Sequence, residues 1–284
     1  MLSYVAVAVR FPESERVIYK TNPLVQVICQ LRFPRILRIE AELPAAFQDL
    51  VRDAYPNLDE LPTTPLPSEV ARAVGLDPGN VPSRTFQFAD AENAWKIGLT
   101  STFLALSTDR YLRWEEFRAR LNDALDVLEK TYEIRRFSRV GLRYRDLIVR
   151  SSVGLGGKPW TIFLKPEILG EIASDSFAQA VKQANRQLIL ELDYPSALVR
   201  LAHGLIEAQD DAGAVESCYL IDADFYTETV RERDGAENIL DYFNQEAGRL
   251  FRWCITPTLS AAMGPSGPEL DVSVIDPSRT PTQS

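Results

Sequence analysis

Acidic side chains alternate along a predicted strand in the last third of the chain. Asp222 and Asp224 lie two residues apart, so their side chains project from the same face of a strand. Glu191, from a neighbouring predicted strand, could add a third carboxylate. Carboxylate oxygens are ligands that Mg²⁺ prefers. One hypothesis is therefore a magnesium-dependent enzyme acting on a phosphodiester or nucleotide, with Asp222, Asp224 and Glu191 as metal ligands.

Arginines form a second set. On each of two predicted strands, their side chains project from a single face. The set consists of Arg32, Arg139, Arg143 and Arg145. Guanidinium groups bind phosphate or carboxylate with paired donors, so these arginines are candidate ligand-binding residues. The alternative, which we favour, is a cross-strand ladder in which the arginines pair with the three acidic residues. The same carboxylates would then be a solvated or ion-paired face instead of a metal site.

The remaining residue types offer little chemistry. His203 is the only histidine, and no cysteine or second histidine lies near it in the sequence, so we interpret it as structural. Three cysteines, at positions 29, 218 and 254, are too widely spaced for a zinc site or a redox dithiol. No motif identifies a catalytic mechanism, and we therefore expect a protein that is not an enzyme and carries no cofactor.

One order of elements can be read twice along the chain: strand, helix, three strands, long helix. The first copy comprises a strand at 25–33, a helix at 43–55, strands at 85–88, 94–99 and 102–106, and a helix at 114–132. The second comprises a strand at 137–148, a short helix at 166–172, strands at 187–192, 197–205 and 218–226, and a helix at 236–254. Prolines predict a long loop over 57–83, and Thr108 or Asp109 could cap the first long helix.

This order predicts an α+β fold built as a tandem pseudo-repeat, with antiparallel sheets that are each covered on one face by a long helix. The predicted divisions are 1–136, the first repeat with an N-terminal arm, and 137–263, the second repeat. Residues 264–284 contain several prolines and no aromatic residue, which predicts a flexible tail.

Composition and charge limit the partners. The net charge of −9 and the isoelectric point near 4.9 argue against binding to nucleic acid or to an anionic membrane. No apolar run approaches the roughly 20 residues of a membrane-spanning helix, and residues 1–11 lack the features of an export signal. We expect a soluble, cytoplasmic protein with reduced cysteines.

Three stretches resemble a bacterial family of sporadic distribution and no assigned activity. They are Pro-Leu-Val-Gln-Val-Ile-Cys-Gln-Leu-Arg-Phe at 23–33, the helix at 114–132, and Arg-Val-Gly-Leu-Arg-Tyr at 139–144. The likeness covers roughly 19–260, includes the strand at 222–226, and leaves out residues 1–15 and those after Met263. The resemblance implies no catalytic residues, and the patchy occurrence of the family implies genes of conditional use, such as those of defence or mobile elements.

These observations favour a non-catalytic binding or scaffold protein. It would hold a protein partner, a peptide or a small anionic ligand on a sheet face or in a groove between the repeats. Exposed sheet edges also predict self-association into a homo-oligomer. The magnesium-dependent enzyme remains the alternative.

Overall fold

A computed structural model describes residues 8–62, 84–178, 180–209 and 215–266. The fold is α+β, with a large antiparallel sheet and several helices, as the sequence predicts. Three expected features fall outside the described residues: the part of the predicted loop at 63–83, most of the predicted tail, and the beginning of the N-terminal arm.

The strands are short or medium in length and are spread over the whole described chain. They are β1 (Ile18–Tyr19), β2 (Leu24–Arg32), β3 (Asn57–Pro62), β4 (Arg84–Ala89), β5 (Trp95–Leu99), β6 (Phe103–Thr108), β7 (Arg136–Phe137), β8 (Arg139–Ile148), β9 (Arg186–Glu191), β10 (Ala197–Gln209), β11 (Val215–Thr227), β12 (Arg231–Glu232) and β13 (Pro265–Ser266). The helices are α1 (Leu37–Ala41), α2 (Ala45–Val51), α3 (Trp114–Tyr132), α4 (Pro166–Leu169), α5 (Arg233–Cys254) and α6 (Pro257–Ala262).

The chain divides into two compact units. Within the described residues, unit one comprises 8–26, 143–226 and 241–266, and unit two comprises 27–142 and 227–240. Strands β2 and β8 and helix α5 each contribute residues to both units.

Unit two contains strands that are neighbours in the order β3, β4, β5, β6, β2 and β8. Apolar residues alternate along these strands, so one face is buried beneath the amphipathic helix α3 and the short helix α2. Phe117 of α3 lies 5.7 Å from Trp95, and Phe47 of α2 lies 5.4 Å from Phe88, measured between ring centroids. These aromatic contacts form the core of the unit.

Unit one contains strands in the order β2, β8, β11, β10 and β9. Phe225 of β11 packs on Phe243 of α5 at 6.1 Å between ring centroids, so α5 covers one face of these strands. The face opposite α5 is called here the outer face of unit one. At the end of β9, Val9 forms an isolated parallel bridge with Leu192, and the Arg10 guanidinium pairs with Asp193.

Two expectations about local structure are wrong. Residues 57–62, expected in a loop, form β3, which pairs with β4 along its whole length. Thr108 and Asp109 do not cap α3, because that helix begins at Trp114 after Arg113 and the hydroxyl of Thr108 instead accepts the backbone N–H of Arg110 at 3.0 Å. The polar and proline residues of β3 resemble those of a loop because β3 is the outermost of the described strands, where such residues are tolerated.

Cys29, Cys218 and Cys254 are free and buried, as the sequence predicts. Burial raises the pKa of each thiol, to about 11 for Cys218. Among the helices of the described residues, none combines the length and the apolar character needed to cross a membrane.

Candidate binding site

Strand β8 carries the predicted arginines of unit one on the outer face. Its alternation places Leu142 and Tyr144 on the buried side and Arg143 on the other. Arg143 donates two hydrogen bonds to one carboxylate, from Nε to Oδ1 and from Nη2 to Oδ2 of Asp222, each at 2.6 Å. This paired, charge-assisted geometry raises the pKa of Arg143 and fixes both side chains.

Asp222 also contacts the second arginine of the strand. The Nε atom of Arg145 lies 3.4 Å from Asp222 Oδ2, while Nη1 donates to Oε1 of Gln26 at 3.1 Å. The Asp222 residue is 7% exposed, because the two arginines cover it. For Arg143, Arg145 and Asp222 the structure therefore shows the cross-strand ladder, in which both guanidinium groups are already paired with the Asp222 carboxylate.

The proposed metal ligands do not come together. Asp224 is half-buried, and Glu191 is exposed on β9 opposite Leu198. Within the described part of the chain, no group of three or more histidine, cysteine, aspartate or glutamate residues is placed to hold a metal ion. Asp222, Asp224 and Glu191 therefore do not form a ligand set in this arrangement.

The other two predicted arginines belong to unit two. Arg32 Nε donates to Oε1 of Gln30 at 3.2 Å, and Arg139 Nη1 donates to the same oxygen at 3.4 Å. The structure thus brings Arg32 and Arg139 together at a shared neutral acceptor. Arg143 and Arg145, by contrast, belong to unit one.

Replacing the central carboxylate of the ladder should lower stability. In Asp222→Asn, two neighbouring arginines lose their counter-charge, and we expect the free energy of unfolding to fall by about 1–3 kcal/mol. Urea unfolding at neutral pH measures this change. Glu60→Gln is the matched control, because Glu60 pairs with Arg84 at 3.4 Å with both side chains 48% exposed, and an exposed pair contributes roughly 0–1 kcal/mol. Equal losses in the two variants would contradict a structural role for the ladder.

His203 lies on the buried side of β10, as expected for a structural residue. Its Nδ1 atom is 2.9 Å from the hydroxyl of Tyr219, and that hydroxyl donates to the carbonyl oxygen of Ile168 at 2.8 Å. Because the tyrosine proton is committed to the carbonyl, the histidine must donate from Nδ1. Burial and the charge of Arg186 lower the pKa of His203 to about 4, so the ring is neutral at physiological pH.

Asp146 is a buried acid that the sequence analysis overlooked. It lies on the α5 side of β8, the opposite face from Arg143 and Arg145, and is 8% exposed. Burial, and secondarily the negative charge of Asp222, raise its pKa to about 8. At neutral pH this carboxyl group is protonated and acts as a neutral part of the core.

Arg200 is a second residue that the sequence analysis overlooked, and it lies on the outer face of unit one. Its guanidinium carbon is 5.9 Å from the centroid of the Tyr226 ring, which places the cation over the aromatic face. The Nε atom is buried without a hydrogen-bond partner, and within the described residues Arg200 makes no ion pair. Arg200 is therefore a positive charge without an ion-pair partner among the described residues.

The surroundings of Arg200 are mostly apolar. In the antiparallel register of β9 and β10, Ile189 lies directly opposite Arg200, and Leu198 and Ala202 flank it on the same face. Ile189 is 56% exposed, whereas Leu198 and Ala202 are half-buried. On β9, Glu191 shares this face and lies opposite Leu198; on β11, Asp222 and Asp224 share the face of Tyr226.

The sequence contains a weak signal for Arg200. In the stretch Val199-Arg200-Leu201, the two apolar residues are buried on one face of the strand, and the arginine between them points to the other face. Its separation from the acidic residues depends on strand register, which the sequence does not specify.

In comparisons with known proteins, no family model matches this chain, and no curated protein matches it.

Proposed function

We propose that this protein is a non-catalytic binding protein that holds an anionic group at Arg200, on the outer face of unit one. The single observation that supports the proposal is an arginine stacked on Tyr226 without an ion pair in the described residues. A guanidinium group offers paired donors to an oxyanion. The charge of Arg200 is thus available to a ligand, whereas those of Arg143 and Arg145 are engaged by Asp222.

The surroundings of Arg200 also favour binding. A partly desolvated cation on an aromatic ring attracts an anion more strongly than one in bulk water, because the local dielectric constant is lower. The ladder holds the neighbouring strands β8 and β11 in place, so the site is pre-organised.

Calorimetric titration with small oxyanions tests this function. The panel comprises inorganic phosphate, acetate, benzoate and octanoate, and we expect saturable binding of at least one of them. Arg200→Ala should weaken that binding at least tenfold, because the charge and its donors are lost together, and Arg200→Lys should weaken it less. Arg84→Ala removes an exposed arginine of β4 and should change nothing. Absence of saturable heat with every anion, or unchanged affinity in Arg200→Ala, would contradict the proposal.

We also propose the tandem pseudo-repeat. Three consecutive strands are neighbours in each half, β4-β5-β6 and β9-β10-β11, and the opening strand of each half lies beside the third: β2 beside β6, and β8 beside β11. Thr108 and Thr227 close the third strands, and each hydroxyl accepts the backbone N–H two residues later, at 3.0 and 3.3 Å. An experimental structure in which the two halves fail to superpose would contradict the repeat.

Membership of the sporadic bacterial family and a role in defence or mobile elements are parts of the same proposal. They are tested by the genes that neighbour this one. A cytoplasmic location is supported by three free, buried cysteines, and cell fractionation tests it.

A protein partner or self-association is supported by β9, the last of the described strands in the sheet order, which exposes Leu188 and Ile189. A sedimentation coefficient that is independent of concentration would contradict self-association.

A further inference from the structure

The outer face of unit one provides an apolar path beside its available charge. Ile189, directly opposite Arg200, belongs to β9, which is the last of the described strands in the order; β9 pairs with β10 on one side, and Val9 hydrogen-bonds to the end of its other side at Glu191. A group that bound Arg200 and extended toward the sheet edge would cross Ile189, whose side chain is 56% exposed. Burial of this apolar surface stabilises a complex in proportion to the area removed from water.

Charges around this path limit the ligand to a single negative charge. Glu191 lies two residues from Ile189 on the same face of β9 and is exposed. Asp222 and Asp224 lie on the same face of β11 as Tyr226. A second negative charge on the ligand would be repelled by these carboxylates and by the chain as a whole, whose net charge is −9.

From these observations we infer that the ligand is a monocarboxylate with an apolar body, whose carboxylate binds Arg200 and whose apolar part lies over Ile189. The inference rests on the proposed function and adds the chemical class of the ligand. The carboxylate accepts the fork of guanidinium donors. The apolar body covers Ile189 and shields the ion pair from water.

A series of unbranched carboxylates tests the apolar part separately from the charge. Acetate, butanoate, hexanoate and octanoate carry the same head group, so differences in affinity report the tail. A fully buried methylene group strengthens binding about fourfold; for a tail buried on one side we expect about twofold per methylene, until the tail passes the sheet edge. Octyl phosphate, which carries a second negative charge at neutral pH, should bind several times more weakly than octanoate.

Two variants of one strand provide the decisive comparison. Ile189→Asn should abolish the dependence of affinity on chain length and retain the requirement for Arg200. Leu188→Asn is the matched control, because Leu188 is 46% exposed on the same strand and points to the opposite face. In Leu188→Asn the dependence on chain length should be that of the natural protein.

The possible outcomes separate this inference from the proposed function. Equal binding of acetate and octanoate, both lost in Arg200→Ala, would overturn the apolar inference and leave the anion site standing. Stronger binding of octyl phosphate than of octanoate would overturn the single-charge limit. Chain-length dependence that survives in Ile189→Asn would overturn the placement of the tail over Ile189. Absence of binding by any carboxylate would overturn the inference, and absence of phosphate binding as well would overturn the anion site at Arg200.

Discussion

Asp146→Asn should make the stability of this protein much less dependent on pH. The pKa of Asp146 is raised to about 8 in the folded state, mainly by burial, while an aspartate in the unfolded chain titrates near 4. Between these values the folded protein keeps a proton that the unfolded chain has released, so the free energy of unfolding falls as pH rises. The slope from one such group is about 1.4 kcal/mol per pH unit.

The sign of the effect fixes the experiment. The stabilisation is fully present below pH 4 and is lost progressively between pH 4 and 8, because the unfolded chain releases the proton that the folded protein keeps; the loss is complete once the buried carboxyl also ionises, above about pH 8. Asn cannot ionise, so the stability of the variant relative to the natural protein should rise with pH, by roughly 5 kcal/mol in total between pH 4 and pH 8.

Urea unfolding at half-unit steps from pH 5 to 8 measures the effect of Asp146→Asn. Asp53→Asn, which removes an exposed carboxylate, controls for the change in net charge. Parallel pH profiles of the natural protein and Asp146→Asn would refute the buried, protonated carboxyl.

Gly204→Ala should lower the stability of unit one more than any other single added methyl group. A Cβ atom at this position of β10 would lie 1.8 Å from the carbonyl oxygen of Ala184 and 2.6 Å from its carbonyl carbon. Both are backbone atoms, and the N–H of Ala184 donates to the carbonyl oxygen of the next residue, Leu205, at 3.4 Å. The backbone must move to admit the methyl group, and we expect a loss of about 3 kcal/mol or more.

Gly248→Ala supplies the opposite expectation. Gly248 lies in helix α5, and nothing approaches its added Cβ within 4 Å. Alanine is the better helix former, so this variant should gain about 0.5–1 kcal/mol. Thermal and urea unfolding of the two variants side by side check both values, and a Gly204→Ala protein as stable as the natural one would disprove the close approach.

The helices and central strands could be predicted from sequence because their apolar residues recur with a clear period. The stripe from Trp114 to Tyr132 predicts α3 with its observed bounds. Edge strand β3 could not be predicted in the same way, because Asp59, Glu60 and Pro62 protect an edge with the residues that also mark loops. Helix α1, with five residues, is too short to show a period.

The site was only partly predictable. Alternation along β8 placed Arg143 and Arg145 on one face, and opposite charges on a neighbouring strand suggested Asp222 as their partner. Arg200 could not be identified as a candidate binding residue, because that depends on which residue of the neighbouring strand lies opposite it. The register that brings Ile189 there is set by strand pairing, which a single sequence does not show.

Anion binding at Arg200 is tested most directly by following the Nε–Hε signal of Arg200 by ¹⁵N nuclear magnetic resonance during a titration with octanoate. Loss of the signal in Arg200→Lys assigns it. We expect a saturating shift at Arg200, with little change at Arg143, whose Nε already donates to Asp222 at 2.6 Å. An unchanged Arg200 signal, or equal shifts at both arginines, would contradict an anion site at Arg200.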